Sequence, residues 1–131
     1  MEFLDAVFKW LRLFPGLERL QVDNLLPEVG SCGLYPVGTE QTGRREDVTG
    51  GAVVDYRTTF LLRRRLPKGA EAARWMLAFP AYVHQQSLQA LTPQPGRDTR
   101  VRAEKARMVA AEHAGLATYE VQIIFTYQAK E

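Results

Sequence analysis

The stretch Thr118 to Glu131, TYEVQIIFTYQAKE, constrains the fold more than any other part of the chain. Tyr119, Val121, Ile123, Phe125 and Tyr127 take one side of a two-residue repeat. Glu120, Gln122, Ile124, Thr126 and Gln128 take the other. Side chains alternate across a strand, and the run is rich in aromatic and β-branched residues. The spacing therefore predicts a strand with one buried face, its other face left to water or a partner. Such a strand needs paired neighbours and helices over its apolar side.

A second run, from Val53 to Pro67, obeys the same rule. Val54, Tyr56, Thr58, Phe60 and Leu62 fall on one side. Val53, Asp55, Arg57, Thr59, Leu61, Arg63 and Arg65 fall on the other. The consecutive arginines Arg63, Arg64 and Arg65 therefore do not form one patch. Arg63 and Arg65 join Arg57 in an outer row, and Arg64 points to the core side.

Helical spacing marks two other segments. Phe3, Leu4, Val7, Phe8, Leu11 and Phe14 predict an amphipathic N-terminal helix, stopped by Pro15-Gly16. The segment from Ala70 to Leu91 predicts the main helix. Its expected apolar stripe is Ala72, Trp75, Met76, Phe79, Val83 and Ala90, and Pro80 is expected to kink it. Between the first helix and Pro27 the chain reads as a connector, a short strand or turn. SCGLYPVG, Ser31 to Gly38, is a short strand candidate that Pro36 confines to an edge or an end. Thr39 to Gly51 is polar and glycine-bearing, a mobile loop or a long hairpin arm. Thr92 to Asp98 is a turn. Thr99 to Gly115 is helical by propensity yet shows no helical stripe, so local rules leave helix and strand both open.

At 131 residues with 46% hydrophobic content the chain fits one domain, spanning 1–131, that folds without disulfides or metal. Cys32 is the single cysteine, which fits a reducing compartment. The leading segment carries Glu2, Asp5, Lys9 and Arg12. It lacks the layout of a signal peptide and is too short and charged to span a bilayer, so no membrane partner is expected.

Chemistry-bearing motifs are sparse. Cys32, His84 and His113 lack zinc-ligand spacing, and the TGG at Thr49 to Gly51 lacks the lysine of a phosphate loop. Glu46-Asp47 and Glu2 with Asp5 read as surface and helix-start charges. A Cys32–His84 hydrolase would need the two side chains within hydrogen-bond reach. No catalytic residue, metal or cofactor is assigned. Net charge is only +2, with Arg57, Arg63, Arg65, Arg97, Arg100 and Arg102 as possible phosphate contacts. The strand aromatics fall opposite the arginine row, whereas a stacking platform needs both on one surface. A small basic nucleic-acid-binding domain is therefore the second reading.

Taken in order, the leading helix, DYRTTFLLRRR, ARWMLAFPAYVHQQ, and AEKARMV running into GLATYEVQIIFTYQ resemble the minor capsid and tail-terminator proteins of prophages in low-GC Gram-positive relatives. The resemblance covers most of the chain and rests on the order of the segments. Pro80 and the basic loop after the main helix fall outside it. It implies an α+β domain: an antiparallel β-sheet with the N-terminal helix and one main helix packed on one face. It also implies that RAEKARMVAA is a strand hairpinned to the last one. In function it implies a non-enzymatic virion structural protein, a ring-forming homo-oligomer, commonly a hexamer. Such a ring caps the tail tube, touches the tail-tube protein and head connector proteins, and assembles in the bacterial host cytoplasm. A ring needs head-to-tail contacts that close by rotation. Arg57, Arg63, Arg65, Arg44, Arg45, Gln122 and Gln128 are the candidate assembly residues.

Overall fold

The computed structural model describes residues 2–46, 48–112 and 115–130. Two helices, α1 (Glu2–Leu11) and α2 (Ala70–Leu88), accompany five strands: β1 (Leu20–Val22), β2 (Cys32–Glu46), β3 (Ala52–Pro67), β4 (Arg97–Ala111) and β5 (Leu116–Lys130). The strands form one sheet in the order β1-β2-β3-β5-β4. The fold is α+β, as expected, but the sheet is mixed. Leu20–Val22 pairs parallel with Cys32–Leu34, while every other neighbouring pair is antiparallel. The connector after α1 is what supplies that parallel strand.

β3 and β5 form the centre and run side by side from Val53↔Lys130 to Pro67↔Leu116. Their predicted apolar sides point the same way and meet α1 and α2. Phe125 is fully buried; Phe3 of α1 meets it edge-on at 5.1 Å and Trp10 at 6.0 Å. Phe14 then meets Phe79 at 5.2 Å and Tyr82 at 4.9 Å, tying the end of the first helical segment to α2. Burying each large aliphatic or aromatic side chain contributes about 1.5–3 kcal/mol, so this single layer accounts for most of the fold's cohesion.

α2 stops earlier than its apolar spacing predicts. Ala90 adopts φ 54°, its N–H bonds to the Ser87 carbonyl at 3.1 Å, and the Leu91 N–H bonds to the Gln86 carbonyl at 2.9 Å. This pair of reversed bonds is a Schellman ending. It turns Ala90 out to solvent, so the core stripe of α2 is Ala72, Trp75, Phe79 and Val83, with Met76 at its margin. The helix runs through Pro80, which lies inside its bounds.

β2 is much longer than the short candidate seen in the sequence. Of the two readings for Thr39 to Gly51, the hairpin arm is the one formed, since β2 pairs with β3 as far as Glu46↔Ala52. Asp47 lies outside the described residues. Pro36 is tolerated because β1 covers only Cys32–Leu34, and beyond it β2 is the sheet edge.

Residues Thr99 to Ala111 are extended and belong to β4, hairpinned to β5. Tertiary pairing overrides helix propensity here. The regular two-residue alternation of a strand breaks within this segment, and the break has a cause. Val101 and Ala103 face the core, the register shifts between Glu104 and Arg107 where Lys105 takes φ 57°, and Ala106 then faces the core. One extra residue moves the inward positions from odd to even numbers.

Candidate assembly face

One face of the sheet carries both helices, and the other presents the residues that alternate against the core. The register assembles that outer face row by row. Arg63 lies between Gly33 and Glu120, with Arg107 beyond. Leu61 lies between Tyr35 and Gln122, with Glu104 beyond. Arg57 lies between Glu40 and Thr126, with Arg100 beyond.

Of the candidate assembly residues, Arg57, Arg63, Arg65, Gln122, Gln128 and Arg45 share this face. Arg44 does not. It stands opposite Val54, a core-side residue, so its place in the register puts it on the helix side of the arm.

The outer arginines are held by carboxylates within the fold. Arg63 Nε donates to Glu120 Oε1 at 3.0 Å, and Arg107 Nη2 donates to Glu120 Oε2 at 3.4 Å. The Arg63 guanidinium also lies 5.1 Å over the Tyr35 ring. Arg65 pairs with Glu112 and donates to the Leu26 carbonyl at 3.0 Å, while the Thr118 hydroxyl donates to Glu112 at 2.8 Å. Arg57 pairs with Glu40 at 3.1 Å, and Arg45 with Asp55 at 2.9 Å. In the amide orientation that satisfies its neighbours, Gln128 donates to Asp98 at 3.3 Å and accepts from Arg45 at 2.9 Å. Gln122 is half-buried between Leu61 and Glu104.

The face is therefore a lattice of paired charges rather than a bare cationic row. Part of the side of β5 expected to face water or a partner is buried within the fold itself, at Thr118, Glu120 and Ile124. The acids that pair with the arginines were missed as partners. For Glu40 and Glu120 the usable signal was an outward position on a strand adjoining the arginine strand.

Arg64 lies on the core side, as its alternation requires. Its guanidinium sits 5.6 Å over Trp75 and fills the space beside Gly16, where an added Cβ would fall 2.3 Å from Nη2. Burial pulls its pKa below the ordinary arginine value.

The Cys32–His84 pairing is not assembled. Cys32 is fully buried opposite Arg64, and burial pushes its thiol pKa up to about 11. His84 is exposed on α2. His113 lies outside the described residues. Among the described residues, no cluster of three His, Cys, Asp or Glu side chains is placed to hold a metal ion, and no helix is long and apolar enough to cross a membrane.

No known family model matches the chain, and a comparison with curated proteins gives no significant match.

Proposed function

We propose that the chain is a virion structural subunit of the tail-terminator or minor capsid type, which associates with copies of itself and with the end of a tail tube. The observation that carries this reading is the one-sided sheet. Helices cover one face only, and the other is a broad surface of paired arginines and carboxylates with Tyr35, Leu61 and Gln122 among them. Arginine and tyrosine at a half-buried surface suit protein contact, and prearranged ion pairs fix orientation more than raw affinity. The order of segments that resembles tail terminators supplies the specific class.

The sheet edges favour contact through faces and side chains over strand addition. β2 carries register shifts at Pro36/Gly38 and Gln41/Gly43, and β4 carries three more. Bulged edges are poor templates for another strand. The nucleic-acid reading draws less support from the same face, because carboxylates already neutralise Arg57, Arg63 and Arg65.

Sedimentation of the chain, alone at high concentration and mixed with any tail-tube protein whose gene adjoins its own, tests the proposal. Self-association or capping of the tube is expected. A strict monomer that ignores the tube overturns it.

A further inference from the structure

The outer arginines are not all treated alike. Arg57, Arg63, Arg65, Arg102 and Arg107 each face a carboxylate. Arg100 is exposed, stands opposite Thr126, and has no ion pair or side-chain hydrogen bond among the described residues. It lines two clefts that share Asp98 and Thr126. The larger, about 500 Å³, lies where α2 meets β4, with His84 and Ser87 on one wall and Arg102 on the other. The Ser87 hydroxyl oxygen accepts the Val101 N–H at 3.0 Å and so fixes the helix against the strand edge. The smaller, about 430 Å³, continues past Tyr127 and Gln128.

We propose that this trough binds a phosphate group carried by a small molecule, with Arg100 as its principal contact and Arg102 and His84 beside it. A guanidinium fork matches phosphate oxygens in pairs, and an unpaired one gives up no internal partner on binding. The Ser87 hydroxyl on the helix wall and the Thr126 hydroxyl beside Arg100 are further donors lining the cleft. A trough of this size admits a small phosphate ester. Asp98, common to both clefts, selects for a hydroxyl or amino group next to the phosphate. The inference stands apart from the assembly reading, since it concerns one copy of the chain.

Pyrophosphate is the probe, titrated at low salt by calorimetry and by amide chemical shifts. A single-stranded oligonucleotide at equal phosphate concentration is the second arm. Saturable one-to-one binding of pyrophosphate is expected, with shifts gathered at Ser87, Arg100 to Arg102 and Thr126. Arg100→Gln is expected to weaken it about tenfold or more, Arg100→Lys by less, and Arg57→Gln by under about twofold. Melting curves confirm that each variant is folded. Absence of saturation, equal losses from Arg57→Gln and Arg100→Gln, shifts spread along the whole arginine lattice, or binding of the oligonucleotide alone would each overturn the proposal.

Discussion

Arg63 and Glu120 are direct cross-strand partners, joined by a 3.0 Å hydrogen bond on the face of the sheet opposite the helices. The Glu120 side chain is only 6% exposed, although that face carries no helix, because Arg63 and Arg107 close over it. Their apolar stems shield the carboxylate while their heads stay wet. Glu120→Ala should cost about 1–3 kcal/mol, since both arginines can rehydrate. Arg107→Ala should cost under about 1 kcal/mol, because Arg107 is the more exposed partner and Arg63 remains. Urea unfolding of the two variants checks the order.

Assembly and folding separate best at Arg57. Its pair with Glu40 is exposed on both sides, so Arg57→Ala should change stability by less than about 1 kcal/mol. Arg65 is the opposite case. It holds Glu112 and the Leu26 carbonyl, and its side chain is 14% exposed. Arg65→Glu should therefore unfold the domain before it reports on assembly. If the outer face is the subunit contact, Arg57→Ala lowers self-association at unchanged melting temperature. Sedimentation and thermal melts, run together, decide it.

The pattern of what was legible follows from burial. β3 and β5 are paired on both sides and covered on one face, so alternation survives intact in their sequences. β2 offers no such pattern, since it is largely exposed and carries Pro36, Gly38 and Gly43 at an edge. The outward position of Arg57, Arg63 and Arg65 was legible from alternation alone. Their neutralisation by Glu40, Glu120 and Glu112 was not, because cross-strand register is a tertiary fact.

Ala90 holds a left-handed conformation that glycine adopts at little cost. Nothing buries its methyl group. Ala90→Gly should therefore stabilise the chain by about 0.5–1 kcal/mol, the relief at the helix end exceeding the added freedom of the unfolded chain. A rise in the urea midpoint without a change in slope is the expected reading.

Cys32 should be inert to thiol reagents until the domain unfolds, since it is fully buried and its thiol is held at a pKa near 11. The shift is upward from 9.0, so the folded state binds more protons than the unfolded state between those values. Stability from this group is complete below pH 9 and falls as pH rises toward 11. Cys32→Ser, which hardly ionises in that range, should flatten the decline. Labelling rates in urea and unfolding curves at alkaline pH test both statements.

The exposed edge of β2 makes the last prediction. From Tyr35 to Glu46 it has no strand on its outer side among the described residues, and its defences are two register shifts and the charges of Glu40, Arg44, Arg45 and Glu46. Glu40→Val with Arg44→Val removes charge from both faces of the edge while leaving the bulges. The double variant should melt close to the parent yet scatter light sooner on warming, because a β-branched, uncharged edge recruits further strands. The same two valines placed at exposed His84 and Gln85 on α2 should leave scattering unchanged. Equal aggregation from both pairs would mean that added surface hydrophobicity, rather than an unprotected edge, drives the association.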